Sequence, residues 1–261
     1  MTNRTLKPEE RKKIILDLLH NNDFVSGRSI MERCNVSEIT VRRDLTDLEN
    51  KGLLIRTHGG AVRSVAAGNL FTYDSKISRN RQNKEAICRT ASSFIENNDI
   101  IFIDCGSTLS FMSKYVTKFE SLTIITNSLP IVSELINFPA IKLILIGGEV
   151  INERKAIYGL FADRNISQFH AKKAFIGADG VSLEGGLTSY DENEASVTSK
   201  MAGNSEKVFL LCDSSKIEKD SFVRFAPLSA VDVVITDSEI SDHYLAKYLE
   251  NNINIITGKK Y

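Results

Sequence analysis

Seven short runs rich in Ile, Val and Leu limit what this chain can become. They span residues 100–104, 122–126, 141–146, 173–177, 207–213, 231–236 and 253–257. Between most of them lie segments with apolar residues at helical spacing, such as 109–116, 131–136, 195–201 and 244–249. A strand that is apolar at nearly every position is buried on both faces, as in a parallel sheet covered by helices. Alternating strands and helices supply the crossovers that such a sheet needs. The expected class is α/β, with a mostly parallel sheet in residues 82–261. No run approaches the roughly 20 apolar residues of a membrane span. The first ten residues hold no apolar signal core. A cytoplasmic protein with no membrane partner is expected.

Residues 1–63 follow another pattern. Pro8, Glu9 and Glu10 suit the first turn of a helix. Ile14, Ile15, Leu18 and Leu19 then share one face. Ser26 can cap a short second helix with Ile30, Met31 and Cys34 inward. Asn35 supplies a turn, and Ser37 can cap a third helix. There Val41, Leu45 and Leu48 form a buried stripe, while Ile39, Arg43 and Thr46 point nearly opposite and Arg42 lies on the flank. Gly52 ends this helix. Residues 53–57 read as a strand, His58-Gly59-Gly60 as a tight turn, and 61–63 as the returning strand.

An outward arginine pair beside an exposed isoleucine is odd for a purely structural helix. It suits the DNA major groove, where arginine forks onto guanine and an aliphatic side chain meets the thymine methyl. Ser37 and the amides at the helix start suit a phosphate. Arg56 and His58 put donors on a wing for the flanking backbone. A solvated face of mixed charge is the plainer alternative, and the strand–Gly-Gly–strand unit weighs against it. Residues 1–64 hold 12 Lys and Arg against 9 Asp and Glu, in a chain of zero net charge. That mild asymmetry supports DNA binding in company with the pattern.

Val36-Ser37-x-x-Thr40-Val41-Arg42-Arg43-Asp44-Leu45, followed by Gly52, Arg56 and His58-Gly59-Gly60-Ala61, resembles the DNA-binding signature of the DeoR family of bacterial sugar-metabolism regulators. The expected DNA-contacting set is Ser37, Ile39, Thr40, Arg42, Arg43, Thr46, Arg56 and His58. Met31 departs from the family, which usually has alanine there. The resemblance implies a winged helix-turn-helix over residues 1–63. The small, weakly patterned residues after it suggest a linker, placed at 64–81.

Ligands of open parallel sheets bind beyond the carboxyl ends of the strands. Those ends read Asp104-Cys105-Gly106-Ser107-Thr108, Thr126-Asn127-Ser128, Gly147-Gly148, Gly177-Ala178-Asp179-Gly180, Asp213-Ser214-Ser215-Lys216 and Thr236-Asp237-Ser238. Gly106 lets backbone approach a ligand, and Ser107 and Thr108 open a helix whose amides can hold a phosphate. Lys216 can balance its charge. Asp104, Asp179 and Glu192 can accept bonds from sugar hydroxyls, and Glu194 can line the same pocket. Singly these are ordinary turn and cap residues; six such loops at one edge point to a small polar ligand. Neither a Gly-x-Gly-x-x-Gly after the first strand nor a Walker-type Gly-Lys-Ser/Thr occurs, so a dinucleotide or nucleoside triphosphate is not expected.

The same loops resemble the sensor domain of the DeoR family, which is similar in fold to ribose-5-phosphate isomerase and coenzyme A transferases. The resemblance implies a phosphorylated sugar or sugar alcohol as effector, met by Asp104, Gly106, Ser107, Thr108, Asn127, Ser128, Gly148, Asp179, Gly180, Glu192, Glu194 and Lys216. The family usually has Gly-Thr-Thr where this chain has Gly106-Ser107-Thr108, and serine keeps the hydroxyl. The leading expectation is a repressor of a carbohydrate-utilisation operon that binds double-stranded operator DNA. Helix-turn-helix proteins usually read two half-sites, so a homodimer or homotetramer is expected. The competing expectation is a sugar-phosphate isomerase with an appended DNA module, in which Asp104, Asp179, Glu192 and Lys216 offer a carboxylate base and a group that stabilises the enediolate. No cofactor or metal is expected, because Cys34, Cys88, Cys105 and Cys212 lack metal-ligand spacing and read as reduced, mostly buried thiols.

Overall fold

The structure is a computed structural model that describes residues 6–22, 24–50, 53–57, 59–63 and 72–259. The chain divides into two compact units, residues 1–76 and 77–261.

The first unit contains α1 (Pro8–Asn21), β1 (Phe24–Ser26), α2 (Gly27–Cys34), α3 (Glu38–Asn50), β2 (Leu54–Thr57) and β3 (Gly60–Arg63). Ser26 accepts a bond from the Ser29 amide at 3.1 Å, capping α2. Asn35 ends α2 in the left-handed conformation, φ 50°, which asparagine adopts at little cost. Ile15, Ile30, Val41, Leu45, Leu48 and Leu54 bury together as the core. The three strands form an antiparallel sheet in the order β1-β3-β2. Strand β1 is too short to show a period in sequence, and it explains Gly60. A Cβ on Gly60 would fall 2.1 Å from the Val25 carbonyl oxygen, so a side chain there would push β3 off β1.

Helix α4 (Tyr73–Ser78) follows, inside the stretch expected to be a linker. Thr72 starts it, accepting from the Ser75 amide at 3.3 Å through Oγ1.

The second unit opens with α5 (Arg81–Ser92) and β4 (Ile100–Ile103), then a 3-10 turn at Leu109–Met112, α6 (Ser113–Val116), β5 (Leu122–Thr126), α7 (Leu129–Leu135) and β6 (Ile141–Leu145). It continues through β7 (Glu149–Ile151), β8 (Ala156–Tyr158), α8 (Leu160–Ile166), β9 (Ala171–Ile176), β10 (Gly180–Ser182), β11 (Gly186–Ser189) and α9 (Glu192–Gly203). It closes with β12 (Ser205–Leu211), a 3-10 turn at Ser214–Lys216, β13 (Val223–Ala226), β14 (Val233–Asp237), α10 (Asp242–Glu250) and β15 (Ile255–Gly258). Seven strands make one sheet, ordered β15-β14-β12-β9-β4-β5-β6 and parallel throughout. All seven apolar runs are strands of it.

Alternation along these strands feeds two cores. Phe102, Ile125, Ala174 and Leu210 pack on one face. Ile101, Ile103, Ile124, Phe175 and Phe209 pack on the other. Two small antiparallel sheets, β7-β8 and β10-β11-β13, were not expected; strands of three or four residues are too short to betray a period of two. At the amino end of β4, Asp99 is buried between Lys173 at 2.5 Å and Lys172 at 2.9 Å. At its carboxyl end comes Asp104, where the candidate ligand loops begin.

Candidate functional site

The outer face of α3 is set from behind. Asp44 is 3% exposed and turned inward. Arg11 of α1 grips both its oxygens, with Nε donating to Oδ2 at 2.7 Å and Nη2 to Oδ1 at 3.0 Å. A two-pronged bond of this kind fixes rotation as well as distance. Lys12 adds a pair with Asp47 at 3.0 Å. An aspartate at position 44 reads as a solvated charge until Arg11, 33 residues earlier, is placed beside it; sequence reasoning missed this pair.

With α3 so held, Val41, Leu45 and Leu48 face inward and Ile39 stands 77% exposed. Arg42 and Arg43 are exposed beside it. Glu38 lies 4.0 Å from Arg42, with both side chains mostly in solvent, a pairing of little strength. The Ser37 and Thr40 hydroxyls lie 3.1 Å apart at the helix start. Thr46 and Arg56 depart from the outward placement expected of them. Arg56 Nη1 donates to Thr46 Oγ1 at 2.6 Å, and the Arg56 amide donates to Glu49 at 2.9 Å. Because β2 packs along α3, the wing braces the helix through these two side chains. His58 lies outside the described residues.

In the second unit the loops at the strand ends gather charge. Asp104 is buried and accepts from the Cys105 amide at 2.7 Å, Thr198 Oγ1 at 3.0 Å and the Gly177 amide at 3.4 Å. Burial pushes its carboxyl above the ordinary range despite those bonds. It ties β4, β9 and α9 together, a different role from the open sugar acceptor expected. Asn127 donates to the Ile157 carbonyl at 3.2 Å, and Ser128 caps α7 by accepting from the Ile131 amide at 3.4 Å. A Cβ on Gly148 would fall 2.6 Å from the Tyr158 carbonyl oxygen, and one on Gly180 2.4 Å from that of Lys219. These four positions shape the strand ends. Gly106, Ser107 and Thr108 lead into the 3-10 turn rather than an α-helix, with the Gly106 carbonyl accepting from the Ser110 amide at 3.0 Å. Glu192 is exposed in the first turn of α9.

Three cations come to this edge. Lys84 of α5 is 4% exposed and donates to Ser107 Oγ at 3.0 Å. Lys216 lies 3.9 Å from Asp179. Arg154, from the turn between β7 and β8, lies 3.4 Å from Glu194. Glu194 raises the Arg154 guanidinium against the opposing effect of burial, with Asp179 adding to the rise. Lys84 and Arg154 escaped sequence reasoning. Lys84 had a signal, since it falls on the inward stripe of α5 with Ile87, Cys88 and Ala91. Arg154 lies in a turn and had none. Cys105 Sγ lies 2.8 Å from Tyr158 Oη, and burial pushes its thiol up, away from thiolate chemistry. All four cysteines are buried and unpaired with one another. Cations beside hydroxyls and carboxylates can hold a phosphate at one end of a ligand and hydroxyls at the other.

Among the described residues no His, Cys, Asp or Glu group is placed to hold a metal, and no helix is long and apolar enough to cross a membrane.

An exposed helix braced by a wing, and a separate parallel-sheet unit with a cation-lined edge, define a DNA-binding regulator with a sensing unit. Residues 11–65 match the DeoR-like helix-turn-helix domain, and residues 79–238 match the DeoR C terminal sensor domain. HTH-type transcriptional regulator GlpR of Haloferax volcanii is 32% identical over 96% of this chain and 98% of its own length. The glycerol-3-phosphate regulon repressor of Escherichia coli is 30% identical over 92% of this chain and 98% of its own. Ribose 5-phosphate isomerase a of Methanocaldococcus jannaschii aligns loosely, with a TM-score of 0.40 and 16% identity over 53% of this chain and 55% of that one. The assignment therefore rests on sequence: the chain belongs to the DeoR family. It is a transcription regulator, not an enzyme.

Proposed function

We propose that this chain represses a carbohydrate-utilisation operon from the cytoplasm and responds to a phosphorylated sugar or sugar alcohol in its second unit. The observation that carries the effector reading is the buried Lys84 held 3.0 Å from Ser107 Oγ in the glycine loop. That bond sets a largely buried cation beside a loop whose backbone a ligand can approach, and a phosphate there would meet it with a charge-assisted bond. Lys216 and Arg154 add positive charge, while Asp179 and Glu194 supply acceptors for hydroxyls. The repressor role is supported by the E. coli relative, whose name also points to a phosphorylated polyol. On the DNA side, Ile39, Arg42 and Arg43 meet base edges, Ser37 and Thr40 meet phosphate, and Thr46 and Arg56 hold the reading helix against the wing. The division is a DNA-binding module over 1–63, a connector over 64–81 and a sensor over 82–261. Two or four copies assemble, since paired half-sites call for paired reading helices.

A thermal-shift comparison tests the effector class. Glycerol 3-phosphate, glucose 6-phosphate and fructose 1-phosphate are each set against inorganic phosphate, glycerol and glucose. A ligand at about 100 times its Kd should stabilise the folded protein by about 2.7 kcal/mol. A shift with a phosphorylated sugar or polyol and none with its parent supports the reading. No shift with any of the three would sink it.

A further inference from the structure

The first turn of α5 is bonded to two loops of the candidate effector site, and the chain enters that turn from the connector. Asn80 precedes α5 in the left-handed conformation, φ 52°, and donates to Asp213 Oδ1 at 3.3 Å. Asn83 is 3% exposed and donates to Glu239 Oε2 at 2.9 Å. Lys84, the next residue, holds Ser107.

The acceptors belong to a wider network. Asp213 opens the 3-10 turn that carries Lys216 and accepts from the Ser215 amide at 3.1 Å. The Glu239 amide donates to Asp237 at 2.9 Å. Asp237 accepts from both the amide and the hydroxyl of Ser214, at 2.7 and 3.0 Å. The turn carrying Lys216 is thus joined to α5 by one route through Asp213 and another through Asp237 and Glu239. The loop carrying Ser107 is joined to it through Lys84.

We propose that Asn80 and Asn83 are positioning residues that pass occupancy of the effector site to the connector. The proposal rests on the phosphosugar reading of that site. A ligand that draws Lys84 and Lys216 toward itself shifts their two loops against α5. The asparagine bonds then make the first turn of α5 follow. Farther along, Ile87 and Ala91 are packed into the core and resist, so the change falls on the turn and on Asn80. Asparagine tolerates the left-handed conformation, which places a ready break between α4 and α5. A ligand can act this way through contacts that differ between two arrangements of the turn.

Asn80→Ala and Asn83→Ala test this in the full chain. DNA is a duplex selected by the wild-type protein from a random pool, and the ligands are glycerol 3-phosphate, glucose 6-phosphate and fructose 1-phosphate. Each variant should bind ligand and DNA within about twofold of wild type. The ligand-induced change in DNA affinity, typically about 5–150-fold in coupled systems, should shrink to less than about twofold. Asn80 is exposed, so its variant remains informative if Asn83→Ala fails to fold. Wild-type coupling in Asn80→Ala overturns the proposal. A wild-type protein that binds none of the three ligands sinks the phosphosugar reading instead. The network then still faces a ligand-free test. Ser214→Ala, three bonds from Asn83, should speed amide hydrogen exchange across residues 80–87, and unchanged exchange there overturns the proposal as well.

Discussion

The reading helix and the strand-end loops hold their candidate contact side chains in opposite ways. On α3, Ile39, Arg42 and Arg43 stand in solvent, and the strong bonds lie behind them at Asp44 and Arg11. At the strand ends, Lys84, Lys216 and Arg154 are drawn in and rest against Ser107, Asp179 and Glu194. DNA presents a broad polyanion, so side chains that meet it can wait in water. A small ligand is met by groups already ordered and partly desolvated, and such groups need partners while the site is empty. Exposure marks the first surface, and paired burial marks the second. A search for exposed charge alone would find just one of them.

The largest expected effect breaks the anchor behind α3. Asp44→Ala leaves Arg11 buried without its carboxylate and should cost about 3–5 kcal/mol, read by urea unfolding. A loss under about 1 kcal/mol would show that the pair does not hold the helix. Lys216→Ala comes next. It should leave DNA affinity near wild type while abolishing release or tightening by the sugar phosphate. Retained response in that variant would move the phosphate elsewhere. Arg43→Ala should reduce discrimination between operator and random DNA by about 1–3 kcal/mol, with unfolding free energy within about 0.5 kcal/mol of wild type. Unchanged selectivity would remove Arg43 from base reading.

The smallest effects separate the two ends of β4 by the sign of their pH dependence. Burial works to raise Asp99, yet the bonds from Lys173 and Lys172 prevail and hold its carboxyl below the ordinary range. Its stabilisation is present above the unfolded carboxylate value of about 3.9 and is lost as pH falls through the lowered folded value. Asp104 is raised by burial, so its contribution is present below the unfolded value and is lost as pH rises through the folded one. Asp99→Asn should flatten the loss of stability in acid. Asp104→Asn should steepen the rise of stability with pH above about 4. Unfolding curves across about pH 2–7 read both slopes, and equal slopes in the two variants would defeat the distinction.

The seven sheet strands were legible because burial on both faces writes an apolar residue at nearly every position. The reading helix was legible because Val41, Leu45 and Leu48 leave Ile39 and Arg43 on the far side. What escaped depends on contact across long sequence separations. Asp44 needs Arg11, Arg154 needs Glu194, and Asn83 needs Glu239, 156 residues away. The candidate loops do lie at strand ends, but composition could not tell a cap such as Ser128 from a candidate ligand group. Nor could it show that Thr46 and Arg56 would turn toward each other. Pairing between side chains has no period to read.

The strand order of the large sheet also bears on how the chain is made. Strand β9 is inserted between β4 and β12, after β5 and β6 have already been laid down on the other side of β4. No two neighbours in this sheet are joined by a hairpin, so each pairing must close a long loop before it is rewarded. The first unit has one such hairpin, β2 with β3, although its β1 must wait for β3, Phe24 pairing with Val62. On a ribosome, where the amino-terminal part emerges first, residues 6–63 can complete their core while β9 and β12 are still being synthesised. A newborn chain then holds a finished reading helix before it has a finished sensor, and its last strand, β15, sets the delay.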